Sequence, residues 1–342
     1  MVEDDAETGP HAPIKVLVLG QSLGSGLFTS YESVTSVGVD RLIAAFRDRV
    51  GVPVEVVDAT VPGTSLLRRY RRRRSWWDED DAAPGRLLRD VMAAHDRADV
   101  ILWSQGERDA EDAGLDIATY EAALRATFAH LRRTYRCLIV CNFIGRRADG
   151  HDSVTQQVHM VQKRAVDALS YVHPGAEQYH VGLTDDVHPD DAGFARIGAL
   201  SGEAIAAACL AERDSYPQVR SVAAWGNVVV LHLSDGEWAV AGRRVTQPLP
   251  LSPATGESPF SVVDRQGRVV PMQELYFDPA AGEVYLVLER DITRIAKDLT
   301  AYVAYGASDT LRASQLVTDA SPLRRPLRRG GMAIEVLQAQ AA

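Results

Sequence analysis

Two kinds of segment alternate along the first two-thirds of the chain. Short, mostly apolar runs are typical of strands that are buried on both faces of a sheet. Such runs predict strands at residues 14–20, 53–60, 99–105, 136–145 and 176–183. Apolar residues at helical spacing separate them, near residues 36–49, 84–97, 117–131, 153–170 and 194–208. The alternation predicts an α/β fold, with a five-stranded parallel sheet and helices on both faces.

The pattern changes near Tyr216 and Pro217. Short β-rich segments with turn residues between them follow, and none of the intervening segments has a helical period. They lie at residues 219–225, 227–233, 260–264, 268–272, 283–288, 300–305 and 332–337. This pattern predicts a smaller antiparallel β-sandwich domain. The expected organisation is a disordered lead-in over 1–13, a catalytic α/β domain over 14–213 and an accessory β-sandwich domain over 217–342.

Composition narrows the class of protein. The chain has 342 residues, of which 46% are hydrophobic and 24% charged, so disordered and fibrous classes are excluded. The net charge of −9 argues against nucleic acid as the main partner. No apolar run is long enough to span a membrane. The acidic N-terminus lacks a signal-peptide pattern, and only three cysteines occur, so we expect a cytoplasmic protein with reduced thiols.

Chemistry-bearing residues follow several of the predicted strands, where ligands bind in open α/β sheets. Four short motifs occur there: Gly20-Gln21-Ser22-Leu23-Gly24, Pro62-Gly63-Thr64-Ser65, Ser104-Gln105-Gly106-Glu107 and Asp185-Asp186-Val187-His188-Pro189. Because the carboxyl ends of parallel strands lie at the same edge, we expect these motifs to converge.

The residue types suit nucleophilic catalysis. A serine hydroxyl becomes a nucleophile when a base takes its proton, and His188 is the candidate base for Ser22. A carboxylate fixes the tautomer of such a histidine. Asp185 lies three residues before His188 and is the candidate acid, with Asp186 as the alternative. The alternative interpretation is non-catalytic: Ser22 caps a helix and His188 lies at the surface.

An acyl-transfer site also needs donors for the developing oxyanion. The backbone N–H groups of Ser22 and Gly63 and the side-chain amide of Gln105 are the three candidates. Gln105 and Glu107 have an equally plausible structural interpretation, in which they cap a helix or satisfy buried backbone groups.

Two other sites that begin with glycine are excluded by the sequence. The nucleophile elbow of α/β hydrolases comes after several strands, whereas only one predicted strand precedes Ser22. A dinucleotide-binding loop needs a third glycine at position 29, where this chain has Thr29.

The segment from Arg68 to Trp77 combines arginines with Trp76 and Trp77. One interpretation is a solvated loop whose arginines pair with the acidic run at 78–81. The other is a lip that contacts substrate, because tryptophan faces stack on sugars and arginines bind anionic groups.

The ordered motifs resemble those of the SGNH (GDSL-like) hydrolases, and most closely the branch of sialate O-acetylesterases and plant carbohydrate esterases. The resemblance implies a flavodoxin-like fold and hydrolysis of O-acyl esters. It implies the nucleophile role for Ser22, oxyanion roles for Gly63 and Gln105, and triad roles for Asp185 and His188. Gln21 and Glu107 match the first and third blocks. Leu23 departs from the asparagine that is usual in that branch.

The sequence therefore predicts a serine esterase that removes acetyl or other short acyl groups from a carbohydrate, without metal or organic cofactor. The expected partner is a small-molecule or oligosaccharide acyl ester. The oligomeric state stays open. Two alternatives also stay open at this point: an acyltransferase that uses the same triad, and a non-catalytic carbohydrate-binding protein.

Overall fold

The computed structural model describes most of the chain. The described residues are 12–33, 35–67, 75–146, 152–212, 216–241, 243–254, 259–266, 268–303, 317–320, 325–326, 330–333 and 335–336. None of the helices in these ranges combines the length and the apolar character needed to cross a membrane.

The first part of the described chain is built mainly from short strands and helices in alternation. Its elements are β1 (Ile14–Gly20), α1 (Ser22–Ser25), α2 (Val37–Val50), β2 (Val54–Asp58), β3 (Ser65–Leu67), β4 (Ser75–Asp78), β5 (Ala83–Pro84), α3 (Arg86–Ala94), β6 (Val100–Ser104), α4 (Ile117–Tyr135), β7 (Leu138–Cys141), α5 (Asp152–Ala168), β8 (Val172–Pro174) and α6 (Asp191–Cys209).

Five of these strands form the central sheet, in the order β2-β1-β6-β7-β8, and every neighbouring pair is parallel. The predicted five-stranded parallel sheet is thereby confirmed. The carboxyl ends of all five strands lie at one edge, so the loops that follow them lie side by side.

The central strand β1 shows why an uninterrupted apolar run forms here. Val16 and Val18 belong to a hydrophobic cluster that includes side chains of α2 and α6. Leu17 and Leu19 point to the opposite face and belong to a cluster with side chains of α4 and α5. All four side chains are buried because helices cover both faces of the sheet.

The fifth strand does not lie where the sequence predicts it. The predicted segment 176–183 is a loop, and the strand is the three-residue β8, Val172–Pro174. Residues 176–179 are nevertheless buried. Burial of an irregular loop produced the apolar pattern of a strand, whereas a strand of three residues is too short to show a pattern of its own.

The second part of the described chain is β-rich. Its strands are β9 (Val219–Trp225), β10 (Val228–Leu233), β11 (Trp238–Val240), β12 (Arg243–Val245), β13 (Leu249–Leu251), β14 (Phe260–Asp264), β15 (Met272–Asp278), β16 (Glu283–Leu288), β17 (Leu299–Val303), β18 (Val317–Asp319), β19 (Gly330–Ala333) and β20 (Glu335–Val336). They form a six-stranded sheet and two three-stranded sheets, in the orders β13-β15-β16-β10-β9-β20, β12-β11-β18 and β14-β17-β19. The pairs are antiparallel except for β20 with β9.

One predicted strand in this part is wrong. Residues 268–272 do not form a strand, apart from an isolated bridge between Val269 and Val263. The Asp264 carboxylate accepts hydrogen bonds from the N–H groups of Gln266 and Arg268, and these bonds fold the chain into a turn. The strand β15 starts only at Met272.

The β-rich part has its own hydrophobic core, lined by its strands. Tyr179, from the loop that follows β8, is fully buried in that core. The loop that leads to Asp185 and His188 is therefore packed against the β-rich part.

Candidate active site

Ser22 follows the central strand β1 directly and begins the short helix α1. Gly20 makes this turn possible, because its φ is 135° and a Cβ there would lie 1.8 Å from the backbone oxygen of Ser104. The N–H of Gln21 donates to the same oxygen at 3.0 Å. The backbone approach fixes Ser22 at the carboxyl edge of the sheet, where its side chain is largely buried.

The loop after β2 brings Gly63 to the same edge. The N–H of Val61 donates to the Gly20 oxygen at 2.9 Å, and the Thr64 hydroxyl donates to the Val61 oxygen at 2.8 Å. Gly63 adopts a φ of 68° and has open space around the position of a Cβ. The tether to Gly20 places the glycine turn beside the segment that carries Ser22.

Gln105 lies at the end of β6, as the sequence motif predicts, and its amide is held tightly. Its Nε2 donates to Asp109 at 2.5 Å, and its Oε1 accepts from the Tyr120 hydroxyl at 3.4 Å. One of the two amide N–H bonds is thus used inside the protein, and the second is the one on which an oxyanion role for Gln105 depends.

Asp109 is a buried acid to which sequence reasoning gave no role. Besides Gln105, it accepts hydrogen bonds from the N–H groups of Leu66 at 2.8 Å and Leu67 at 3.3 Å. Burial raises the pKa of Asp109 to about 6, although these three donors lower it. Asp109 thereby joins the β6 loop to β3. Its position four residues after Gln105 was the one sequence feature that could have indicated a contact between the two side chains.

Gln21 and Glu107 are both buried at the carboxyl edge. The Oε1 of Gln21 accepts from the N–H of Arg108 at 3.3 Å, which joins the first motif to the third. Their burial fits supporting positions between the loops.

The tryptophans of the predicted lip do not face solvent. Trp76 is fully buried and its Nε1 donates to the Thr64 hydroxyl at 3.0 Å. Trp77 is buried in the same hydrophobic cluster. Neither indole face is available for stacking on a sugar, because both fill the core below the β2 loop. Arg68 lies outside the described residues.

His188 and Asp185 form a pair on the loop before α6. The Nδ1 of His188 lies 2.7 Å from Oδ2 of Asp185. The other carboxylate oxygen accepts from the N–H groups of Val187 at 2.8 Å and His188 at 2.7 Å. The structure thus places Asp185, rather than Asp186, against the imidazole. Partial burial raises the pKa of Asp185, but the hydrogen bonds from His188 and Val187 outweigh it, so the pKa lies below its ordinary value.

The loop that carries this pair is closed at its base. Leu183 and Pro189 form an antiparallel bridge, and the N–H of Thr184 donates to the His188 oxygen at 2.8 Å. Asp190 caps α6 by accepting from the N–H of Gly193 at 2.6 Å. The helix start and the bridge hold His188 in a tight turn.

Tyr31 connects the two distant parts of the site, and sequence reasoning missed it. Its ring centroid lies 4.1 Å from that of His188, with an angle of 32° between the planes. Its hydroxyl donates to the backbone oxygen of Ser22 at 3.3 Å. Burial raises the pKa of Tyr31, and the nearby Asp185 carboxylate adds to the rise. A tyrosine in an irregular segment carries no pattern that would have indicated this.

The Ser22 backbone and the His188 imidazole thus both contact Tyr31, although the two residues lie about 166 positions apart in the chain. Among the described residues, no direct hydrogen bond joins the Ser22 hydroxyl to the imidazole. The arrangement offers a hydroxyl, a carboxylate-oriented imidazole and backbone N–H groups at one edge of the sheet, which are the groups that acyl transfer requires.

The parallel-sheet α/β fold is shared with a solved carbohydrate acetylesterase, and the family comparison defines the class of protein as the carboxylic ester hydrolases. A comparison with protein families is more specific: the model of the carbohydrate esterases described as sialic acid-specific acetylesterases matches residues 29–207. Because the match covers more than half of the chain, the chain belongs to that family. The matched stretch begins after Ser22 and includes Tyr31, Gly63, Asp185 and His188.

A comparison with solved structures finds esterases from several bacteria. A carbohydrate acetylesterase from Xanthomonas citri aligns with a TM-score of 0.66 and 14% identity, over 93% of this chain and 80% of the other. An acetyl xylan esterase from Geobacillus stearothermophilus aligns with a TM-score of 0.40 and 16% identity, over 56% and 94%. The esterase EstA from a Pseudoalteromonas species aligns with a TM-score of 0.40 and 12% identity, over 56% of this chain and 96% of the other. The comparison with curated proteins finds no match.

Proposed function

We propose that the protein is a serine esterase that removes O-acetyl groups from a carbohydrate or glycoconjugate through the triad Ser22, His188 and Asp185. The observation that carries the proposal is the oriented imidazole of His188, whose Nδ1 lies 2.7 Å from Asp185 and whose ring contacts the tyrosine that binds the Ser22 segment. Membership of a carbohydrate acetylesterase family supports the substrate class.

In the first half of the reaction, the Ser22 hydroxyl oxygen attacks the acetyl carbonyl carbon, and Nε2 of His188 takes the hydroxyl proton. Asp185 stabilises the imidazolium because its carboxylate accepts a hydrogen bond from the N–H at Nδ1 of His188. The tetrahedral intermediate collapses when its bond to the sugar oxygen breaks, and His188 donates its proton to that oxygen. The sugar leaves with a free hydroxyl, and the acetyl group stays on Ser22.

In the second half, water attacks the acetyl-enzyme while His188 takes a proton from it, and acetate leaves as Ser22 regains its proton. The negative charge on the carbonyl oxygen in both steps is accepted by the N–H groups of Ser22 and Gly63, with the second amide N–H of Gln105 as a third donor. Losing one such donor costs about 100- to 1,000-fold in turnover.

The test compares two serines on the same short helix. Ser22→Ala should abolish hydrolysis of p-nitrophenyl acetate and release of acetate from an acetylated sugar, and it should abolish labelling by a fluorophosphonate probe. Ser25→Ala is the matched control, since Ser25 ends α1 and has no role in the proposed chemistry. Full activity of Ser22→Ala would refute the nucleophile assignment.

Product analysis in the presence of an added sugar acceptor separates hydrolysis from acyl transfer. Hydrolysis predicts that acetate release equals substrate consumption. Acetyl transfer to the acceptor in excess of acetate release would replace the hydrolase proposal with an acyltransferase.

A further inference from the structure

Tyr31 lies between the segment that carries Ser22 and the loop that carries His188. Its two chain neighbours are both tied to the start of α6, immediately after the loop of His188. The Ser30 hydroxyl donates to the Asp191 carboxylate, and the Glu32 carboxylate accepts from the N–H of Asp191 at 3.1 Å. These two bonds fix the backbone on either side of Tyr31.

The Tyr31 side chain then contacts both halves of the site. Its ring lies against the imidazole of His188, and Phe194 of α6 lies behind it with a centroid distance of 6.2 Å. Its hydroxyl donates a hydrogen bond to the backbone oxygen of Ser22. Tyr31 is still 45% exposed, so part of the ring faces the open side of the site.

His188 needs such a contact because one hydrogen bond does not fix a ring. The bond from Nδ1 to Asp185 leaves the imidazole free to swing about that bond. The Asp185 side chain is itself 56% exposed, so few neighbours restrain the carboxylate end of the pair. An aromatic ring packed on the imidazole restricts this swing and fixes the direction of Nε2.

We infer that Tyr31 is a positioning residue for the reaction, which holds the imidazole plane of His188 so that Nε2 faces both the Ser22 hydroxyl and the oxygen of the leaving alcohol. This inference rests on the proposed function. Tyr31 acts through His188. The inference therefore predicts that loss of Tyr31 slows the reaction more when the leaving group needs a proton.

Two acetate esters of nearly the same shape separate positioning from folding. The nitrophenolate of p-nitrophenyl acetate leaves without a proton, whereas the alkoxide of p-nitrobenzyl acetate must be protonated as it leaves. The value of kcat/KM reports the acylation step for each ester. The ratio of the benzyl to the phenyl value is independent of the fraction of enzyme that is folded, because that fraction cancels.

The expected result for Tyr31→Ala is a fall of about tenfold in this ratio, because a misdirected imidazole protonates the alkoxide poorly. Tyr31→Phe keeps the ring and should keep the ratio, while both rates fall by about threefold with loss of the hydroxyl bond. Trp225→Ala is the matched control for loss of an exposed aromatic side chain, since Trp225 is also 45% exposed and lies on β9. It should leave both rates unchanged.

The inference is overturned if Tyr31→Ala keeps the wild-type ratio, or if Tyr31→Phe lowers the ratio as far as Tyr31→Ala does. Ser22→Ala, assayed on both esters, separates this failure from failure of the proposed function. An active Ser22→Ala variant would refute the proposed triad. If Ser22→Ala is inactive and Tyr31→Ala keeps the wild-type ratio of kcat/KM for the two esters, only the positioning role of Tyr31 is refuted.

Discussion

Two histidine–carboxylate pairs in the described α/β part of the chain have a similar arrangement but different surroundings. His188 pairs with Asp185 at 2.7 Å, and His159 of α5 pairs with Glu177 at 3.3 Å. An aromatic ring packs on each imidazole at a similar angle, Tyr31 at 32° and Phe143 at 36°. Pairing and ring contact therefore do not by themselves mark a catalytic histidine.

The difference lies in access and in what lies next to the pair. The side chains of His188 and Asp185 are 24% and 56% exposed, whereas those of His159 and Glu177 are both 0% exposed. Tyr31 links His188 to the Ser22 segment. The first pair is open to solvent, whereas the second is sealed from it. Under the proposed function, we therefore expect the exposed pair to serve turnover and the buried pair to serve stability.

The largest expected effect is on the exposed pair. His188→Ala should lower kcat by about 10⁴-fold or more, because loss of the base leaves the serine hydroxyl unactivated. The free energy of unfolding should change little, since the imidazole is partly exposed and lies outside the hydrophobic clusters. Steady-state kinetics and urea unfolding measure the two quantities. A variant with normal kcat would remove the distinction between the two pairs.

The orienting acid should come next. Asp185→Asn should lower kcat by about 100- to 10,000-fold, because an amide favours the wrong tautomer of His188. Asp186→Asn is the matched control one position along the same loop, and we expect wild-type kinetics from it. Equal losses in the two variants would show that the loop, rather than the Asp185 carboxylate, sets the rate.

The buried pair should behave in the opposite way. His159→Ala should lower the free energy of unfolding by about 3–5 kcal/mol, because it removes a fully buried ring and one hydrogen bond to Glu177. The kcat per folded molecule should stay at the wild-type value. Urea unfolding and active-site titration check both parts. A large loss of kcat in fully folded enzyme would place His159 in the catalytic machinery.

The smallest expected effect concerns Asp109, a buried acid paired with an amide instead of a histidine. Its pKa is about 6 in the folded protein, raised by burial from the ordinary 3.8. The folded state thus holds the proton more tightly, and stability falls as pH rises from about 4 to about 6. The shift corresponds to a loss of up to about 3 kcal/mol.

Asp109→Asn removes this titration. The free energy of unfolding of the wild type should therefore fall more between pH 4 and pH 7 than that of the variant. Urea unfolding of both proteins at the two pH values measures the difference. If the free energy of unfolding depends on pH equally in both proteins, the pKa of Asp109 is not raised in the folded state and its burial does not affect stability.

Local pattern was enough to predict much of this molecule. The strands β1, β9, β14 and β16 lie at the predicted residues, because burial in a sheet leaves its apolar pattern within each strand's own sequence. The fifth strand of the parallel sheet was misplaced, because residues 176–179 are buried as a loop. A single sequence shows that a segment is buried, but it does not show whether the burial comes from a sheet or from a covering layer.

The candidate site divides along the same line. Ser22, Asp185 and His188 were proposed from short motifs, because the spacing of Asp185 and His188 is local and their chemistry is recognisable by residue type. The assignment of the tryptophans failed, since Trp76 and Trp77 fill the core and the sequence holds no sign of which side of the loop they face.

By itself the sequence determined the parallel sheet, the edge at which the motifs meet and the chemistry of the residues there. These follow from periodicity and residue type, which act over a few positions. Only the tertiary structure decided that Tyr31 lies between Ser22 and His188, that Asp109 holds Gln105 and that one histidine–carboxylate pair is open while the other is sealed. Contacts between distant segments depend on how the loops pack, and no local pattern encodes that packing.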